Sequence, residues 1–208
     1  MAFALTQIRD YDANRWAFFQ ADRIERDLGR ESTSQGRQNG HLGTNGKLRL
    51  ELAPCDLSGV VKDVVERLSE EASKAACELR LALSNGIVGQ WDRFRLDEAL
   101  SNVISNAIKY GAGHPIDIQL QARDEKAVVV VEDHGIGIAP DDLSRIFERF
   151  ERTIASKNYG GLGLGLYITR KIVEQHRGSI TAENRPTGGA RFVIEVPLVS
   201  STESFEEI

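Results

Sequence analysis

Four polar residues recur at helical spacing between residues 102 and 110. The stretch reads Asn-Val-Ile-Ser-Asn-Ala-Ile-Lys-Tyr, with Asn102, Asn106, Lys109 and Tyr110 at positions i, i+4, i+7 and i+8. Residues at this spacing share one face of a helix, and apolar residues occupy the opposite face. An asparagine carbonyl can ligate Mg²⁺ beside phosphates without adding negative charge, and a lysine offsets phosphate charge. The stretch is therefore a candidate magnesium-phosphate site, although a solvent-exposed polar face explains it equally well when it is taken alone.

The next group is an aspartate followed by two glycines at the end of an apolar run. Asp133, Gly135 and Gly137 come directly after Val128–Val131, a run typical of a strand at the centre of a sheet. A carboxylate there can accept a hydrogen bond from an amino group such as the exocyclic amine of adenine, and glycines let a flat ring approach the backbone. In isolation, these residues are also typical of a tight strand-to-helix turn.

A glycine-rich segment, residues 160–166, precedes a predicted helix and reads Gly-Gly-Leu-Gly-Leu-Gly-Leu. The free N–H groups and positive dipole end of such a helix suit phosphate oxygens. Its Gly-x-Gly-x-Gly spacing, without a preceding strand, argues against a Rossmann dinucleotide site, and the chain has no GxxxxGK[ST] motif. Just before this segment, the phenylalanines of Ile146–Arg152 can anchor a mobile lid. We expect Arg152 to reach a terminal phosphate and Arg149 to belong to a solvated surface.

Hydrophobic periodicity predicts the elements that must position these motifs. The predicted helices span 58–76, Arg93–Tyr110 with Phe94 among its inward residues, Pro140 to about Phe150, and the segment after the glycines to about Gln175. The predicted strands are Lys47–Leu52 ended by Pro54, Glu78–Leu83 joined through an Asn85-Gly86 hairpin turn to Ile87–Trp91, Ile116–Ala122, Ala127–Glu132, Gly178–Glu183 and Gly189–Val196. Together they predict one sheet with helices over one face.

Composition bounds the class of protein. No apolar run approaches the roughly 20 residues that a membrane span requires. The net charge of −5 argues against a nucleic-acid-binding protein. Cys55 and Cys77 form no CxxC pair, so we expect two plain, partly buried residues of a cytoplasmic protein. We divide the chain into a helix and flexible linker at 1–46, a folded domain at 47–198 and an acidic tail at 199–208.

Taken in order, the motifs resemble the catalytic ATP-binding domain of sensor histidine kinases, in the superfamily that also contains DNA gyrase and Hsp90. Residues 102–110 resemble the N box, 133–137 the G1 box, 146–150 the F box and 161–165 the G2 box. Thr187-Gly188-Gly189-Ala190 is similar to the turn before the last strand. The likeness covers about Lys47 to Leu198. It implies an α+β fold of the Bergerat type, a two-layer α/β sandwich whose mixed sheet is covered on one face by about three helices.

The resemblance also implies ATP and Mg²⁺ as ligands. It places Asn106 on the metal, Asp133 on the adenine amine and Tyr110 beside the nucleotide. Lys109 and Arg152 are implied near the phosphates. The implied ATP-binding residues are Asn102, Asn106, Lys109, Tyr110, Asp133, Gly135, Gly137, Ile138, Arg152, Gly161, Leu162, Gly163, Leu164, Gly165 and Leu166.

One position separates the chemistry of the superfamily members. Those that hydrolyse ATP carry a general-base glutamate one turn before the magnesium asparagine, and this chain has Asn102 there. A neutral amide cannot take a proton from water. The position therefore favours phosphoryl transfer over hydrolysis.

The phosphoacceptor motif of histidine kinases, a helical histidine followed by an acidic residue and then by Arg and Pro, is not found in this sequence. His41 lies in the predicted linker, His114 and His134 in loops, and His176 at a helix end. We therefore expect a kinase domain that phosphorylates a histidine on a dimerisation domain in another chain or in a missing segment, with a response regulator as further partner. The alternatives are a non-catalytic nucleotide-binding module that docks a kinase or response regulator, and, less favoured, an anti-sigma-type Ser/Thr kinase.

Overall fold

The computed structural model describes residues 50–150 and 163–198. The predicted N-terminal helix and linker, the start of the first predicted strand, Arg152, Gly161, Leu162 and the acidic tail lie outside the described residues. Within the described ranges the elements, in chain order, are β1 (Ala53–Asp56), α1 (Leu57–Lys74), β2 (Leu79–Leu83), β3 (Val88–Trp91), α2 (Arg93–Tyr110), β4 (Ile116–Arg123), β5 (Lys126–Asp133), α3 (Pro140–Leu143), α4 (Gly165–Gln175), β6 (Ser179–Asn184) and β7 (Ala190–Pro197).

The main sheet has five strands in the order β2-β4-β5-β7-β6. The β2–β4 pair is parallel and the other pairs are antiparallel, so the sheet is mixed. Residues of β4 and β7 alternate between buried and more exposed positions, as expected for strands with one covered face. Helices α1, α2 and α4 cover that face, and their apolar residues form one core with it. The predicted α+β class and two-layer arrangement are confirmed.

Helix α2 forms at the predicted residues because the residues at its ends and its apolar stripe specify the same bounds. Asp92 caps its first turn by accepting the N–H of Arg95 at 3.0 Å. Its inward residues Leu96, Leu100 and Val103 are buried, but Phe94 is 61% exposed, so its predicted inward position is wrong. Phe94 lies outside the i, i+4, i+7 series of these three residues and therefore points away from the core.

The predicted hairpin between the second and third strands is also wrong. Gly86 adopts a left-handed φ of 72°, so the chain does turn there. However, β2 pairs with β4 in the main sheet, whereas β3 pairs with β1 in a separate two-stranded sheet. A turn dipeptide reverses the chain but does not choose the partner of either strand. The buried Trp91 side chain, whose Nε1 donates to the carbonyl of Pro197 at 3.0 Å, anchors β3 to the end of β7 instead.

Two further predicted boundaries differ from the structure. The first described strand is Ala53–Asp56 rather than a strand ended by Pro54, because a two-stranded ribbon tolerates a residue without an N–H. The helix predicted from Pro140 to Phe150 ends at Leu143. Beyond it the chain continues in turns, with Glu148 N–H bonded to the carbonyl of Arg145 at 2.7 Å, and Phe150 has a φ of 61° that no α-helix accepts.

Both cysteines are buried and free. The Cys77 thiol lies 3.7 Å from the carbonyl oxygen of Ile108 and 3.6 Å from that of Gly111, at the end of α2. Among the helices of the described ranges, none is long and apolar enough to cross a membrane.

A buried histidine joins α4 to α2. His176 Nε2 accepts the backbone N–H of Asp92 at 3.0 Å, and His176 Nδ1 lies 2.8 Å from the carbonyl of Ile172. Nε2 can accept only when the imidazole is neutral, so Nδ1 carries the proton and donates it to Ile172. Burial lowers the pKa of His176, against smaller opposing effects of the Ile172 bond and the Asp92 charge.

This depressed pKa predicts a loss of stability in mild acid. Below about pH 6.5 the unfolded chain binds a proton at this histidine before the folded chain does. The free energy of unfolding should therefore fall as the pH drops from 6.5 toward the lower folded-state pKa, and should be unaffected by this residue above 6.5. Urea unfolding gives the free energy of unfolding of the natural protein and of His176→Gln at each pH in this range. The difference between the two proteins isolates the contribution of His176 from those of the other titrating groups. The exposed His114→Gln is the control, and a difference that does not change with pH would contradict the assignment.

Candidate functional site

The polar face of α2 lies beside the start of α4. Asn102, Asn106, Lys109 and Tyr110 are all half-buried, while the apolar residues between them are buried. Asn102 Nδ2 donates to the carbonyl of Gly165, the first residue of α4, at 3.2 Å. The structure thus brings the asparagine helix and the end of the glycine-rich segment together. Lys109 Nζ lies 5.2 Å from the ring centroid of Tyr110.

Asp133 ends the central strand β5 and is only 3% exposed. Its Oδ1 accepts two backbone N–H groups, from Gly135 at 3.0 Å and from Ala190 at 3.2 Å. Its Oδ2 makes no hydrogen bond within the described residues. Burial raises the pKa of Asp133, while the two backbone bonds and the nearby charge of Arg185 act in the opposite direction. The result is a fixed, buried carboxylate with one acceptor oxygen to offer.

Glycine is required where the loop after Asp133 meets α2. A Cβ added to Gly135 would lie 2.0 Å from the carbonyl oxygen of Tyr110 and 2.7 Å from Gly111 Cα. The next residue, Ile136, donates its N–H to the same Tyr110 carbonyl at 3.4 Å and is 65% exposed. The aspartate loop therefore sits directly on the end of the asparagine helix, which places the two motifs side by side.

The described part of the glycine-rich segment leads into α4. Gly163 has a φ of 70°, Leu164 is buried and Leu166 packs against the core. The hydroxyl of Thr169, fully buried, donates to the carbonyl of Gly165 at 2.9 Å. These contacts fix the N-terminus of α4 beside Asn102. Arg152, Gly161 and Leu162 remain predictions outside the described residues.

Only one of the two phenylalanines in the segment Ile146–Phe150 packs against the core. Ile146 is buried and Phe147 packs against the core, but Phe150 is 51% exposed. The guanidinium of Arg149 lies 4.6 Å from the ring centroid of Phe150, at the surface. Its surface position agrees with the expectation that Arg149 belongs to a solvated face.

A buried acidic residue on the same helix face was not predicted. Glu98 pairs with Arg95 at 3.0 Å, and their side chains are only 3% and 10% exposed. Burial raises the pKa of Glu98 despite the opposing guanidinium of Arg95. Glu98 precedes Asn106 by two turns, about 12 Å along the helix axis, which is too far to act on a water beside Asn106. Glu98 therefore does not serve as the general base that is missing at position 102.

The sequence analysis did not predict the roles of Asn184 and Arg185, whose side chains bond to the backbone of the loop Asp133–Ile138. Asn184 bonds to both backbone groups of Ile138, and Arg185 Nη1 donates to the carbonyl of Asp133 at 3.1 Å. Asparagine side chains often bond to backbone groups near turns, and Asn184 stands two positions before the Pro of a Pro-Thr-Gly-Gly turn. This local pattern predicts a turn, but it does not predict which distant loop the asparagine side chain contacts.

Comparisons with known proteins agree with this geometry. Residues 91–200, more than half of the chain, match the family described as histidine kinase-, DNA gyrase B- and HSP90-like ATPase. The sensor histidine kinase RppB of Synechocystis is 42% identical over 150 residues, which cover 70% of this chain and 33% of that protein. The histidine-protein kinase BaeS of Escherichia coli is 33% identical over 160 residues, covering 76% of this chain and 34% of BaeS.

Solved structures give the same result. Full-length ShkA, crystallised with AMPPNP, superimposes with a TM-score of 0.68 at 30% identity, covering 76% of this chain and 33% of ShkA. The catalytic domain of the histidine kinase ThkA has a TM-score of 0.65 at 28% identity, covering 72% of this chain and 97% of that domain.

The chain belongs to the histidine kinase-, DNA gyrase B- and HSP90-like ATPase family. Within that family it carries an ATP-binding catalytic domain of the histidine kinase type. The chain spans about a third of the length of the two curated relatives.

Proposed function

We propose that this chain binds Mg-ATP and donates the γ-phosphoryl group to a histidine side chain of a dimerisation domain, in another chain or in a further segment of a longer protein. The observation that carries the proposal is that the loop of the buried Asp133 and the N-terminus of α4 both contact the helix α2, whose polar face bears the asparagines. The bound AMPPNP of the ShkA structure supports ATP as the nucleotide.

The roles of the nucleotide-contacting residues follow from their positions. Asp133 Oδ2 accepts a hydrogen bond from the adenine amine, and the backbone of Gly135 and Gly137 admits the ring. Tyr110 and Ile138 lie beside the nucleotide, and the N-terminus of α4 faces the phosphates. The further proposed contacts are Asn102, Lys109, Arg152, Gly161, Leu162, Gly163, Leu164, Gly165 and Leu166.

Asn106 fits a magnesium ion that is held mainly by phosphate oxygens. It is half-buried, and its carboxamide makes no hydrogen bond within the described residues, so its oxygen is available. Mg²⁺, when bound, neutralises phosphate charge and orients the terminal phosphoryl group. A single neutral protein ligand suits a metal that keeps several waters and takes the rest of its ligands from the substrate.

The neighbourhood of Asn106 favours transfer over hydrolysis. In the proposed reaction, the bond between the γ-phosphorus and the bridging oxygen breaks as a bond to an imidazole nitrogen forms, and ADP leaves. The Asn102 amide takes no proton from water, and its Nδ2 already bonds to Gly165. The chain's own groups thus bind and orient ATP without activating a competing water. A response regulator as further partner and a cytoplasmic location complete the proposal.

Replacing Asn106 tests the metal assignment. Asn106→Ala removes the proposed ligand oxygen and should weaken Mg-ATP binding about tenfold or more, while binding of ATP in EDTA changes little. Isothermal titration with and without Mg²⁺ separates the two. Asn85→Ala removes an exposed amide outside α2, whose described bond is to Lys62 in α1, and is the matched control. Equal Mg-ATP affinity in Asn106→Ala and the natural protein would refute the role of Asn106.

A further inference from the structure

The turn between β6 and β7 holds both ends of the loop Asp133–Ile138. At the first end, Ala190 N–H donates to Asp133 Oδ1 at 3.2 Å, and Arg185 Nη1 donates to the Asp133 carbonyl at 3.1 Å. At the other end, the side chain of Asn184 bonds to Ile138. Because one turn fixes both ends, its position determines where the loop lies relative to the sheet.

Asn184 makes a two-point bond to a single residue. Its Oδ1 accepts the N–H of Ile138 at 2.8 Å, and its Nδ2 donates to the carbonyl of Ile138 at 2.6 Å. Only one orientation of the carboxamide satisfies both groups. Alanine at 184 would leave both Ile138 groups without this partner, and serine would offer a single, shorter hydroxyl in place of the two carboxamide groups.

The space between the turn and the loop is already filled. A Cβ added to Gly137, which has a φ of 69°, would lie 2.9 Å from Asn184 Oδ1. A Cβ added to Gly189, with a φ of 86°, would lie 2.1 Å from the Asp133 carbonyl oxygen. On the other side, Gly135 rests on the end of α2. The loop is therefore held between α2 and the turn. Removing the Asn184 side chain releases only the Ile138 end, because Ala190 and Arg185 still bond to Asp133.

We propose that Asn184 is a positioning residue for adenine recognition. It holds Ile138 against the β6–β7 turn, and this keeps the glycine backbone and the available oxygen of Asp133 in the arrangement that the adenine amine needs. The inference rests on the proposed ATP site and adds a determinant of base selectivity. Asn184 would act through the loop and not by touching the base, because its carboxamide oxygen and an amide N–H are already bonded to Ile138.

The test compares two nucleotides across four proteins. The nucleotides are Mg-ATP and Mg-bound purine riboside triphosphate, which lacks the exocyclic amine. The proteins are the natural chain, Asn184→Ala, Asn184→Ser and the control Asn85→Ala. Asn184→Ala should bind ATP about tenfold more weakly and the amine-free analogue almost unchanged, because only the amine uses the positioned Asp133 oxygen. Asn184→Ser should be intermediate, and Asn85→Ala should match the natural chain.

The outcomes separate this inference from the proposed function. Unchanged ATP affinity in Asn184→Ala, or an equal loss for both nucleotides, would overturn the positioning role while leaving the ATP site intact. Failure of the natural chain to bind either nucleotide would defeat the proposed function and the inference with it. Thermal unfolding without ligand checks each variant, and Asn184→Ser carries the comparison if Asn184→Ala does not fold.

Discussion

Asp133→Ala should weaken ATP binding about a hundredfold. The substitution removes a charge-assisted hydrogen bond to the adenine amine, worth roughly 2–3 kcal/mol, and leaves the N–H groups of Gly135 and Ala190 without their acceptor. Isothermal titration of Mg-ATP measures the loss. An affinity within about twofold of the natural protein's would show that this carboxylate does not bind the base.

Asp133→Asn is the matched variant, because it keeps an oxygen for the two backbone N–H groups and replaces the free acceptor with a donor. It should fold normally, lose its preference for ATP and bind inosine triphosphate relatively better, since the amide can donate to the 6-oxo group. The raised pKa of Asp133 gives a second signature in the natural protein. ATP affinity should begin to fall, as the pH is lowered, above the ordinary carboxyl value of 3.8.

Gly135→Ala should disrupt both the fold near the site and nucleotide binding. The added Cβ meets the backbone carbonyl of Tyr110 at 2.0 Å, and no side-chain rotation can relieve a clash between a Cβ and backbone. The loop must move away from α2, which we expect to lower the free energy of unfolding by roughly 1–3 kcal/mol and to abolish measurable ATP binding.

Gly59→Ala is the control for this substitution. Gly59 lies within α1, where the nearest atom to an added Cβ is 4.0 Å away. Alanine there should be neutral or stabilise the helix by about 0.5–1 kcal/mol. Urea unfolding and Mg-ATP titration of both variants give the comparison, and equal behaviour of the two would argue against the close contact between the loop and α2.

Local patterns predicted the parts of the fold that are set locally. Helix α2 was predicted at its observed residues from its apolar periodicity, and in the structure Asp92 caps its start and Gly111 its end. The β5 strand followed from its valine run, and the Asp-Gly loop from its position after that strand. The motifs marked the residues of the proposed site, and the contacts of Gly135 and Gly165 place the Asp-Gly loop and α4 against α2.

The errors lie where distant segments decide the outcome. The parallel pairing of β2 with β4 depends on the sheet as a whole, so the Asn85-Gly86 turn gave the wrong partner. The contact of Asn184 with Ile138 was not predicted, because the two residues are 46 positions apart in the chain. The predicted helix after Pro140 ends early, at Leu143, where the chain passes into turns that periodicity does not reveal.

Phosphoryl transfer itself gives the most direct test of the account. The protein is mixed with ATP radiolabelled at the γ-phosphate and with the histidine-containing dimerisation domain of a related sensor kinase. We expect label to appear on the partner domain and acid to remove it, as for phosphohistidine. Asn106→Ala and Asp133→Ala should abolish the labelling. Release of free phosphate without labelled protein, or an acid-stable label, would contradict a histidine kinase domain and indicate hydrolysis or a Ser/Thr kinase instead.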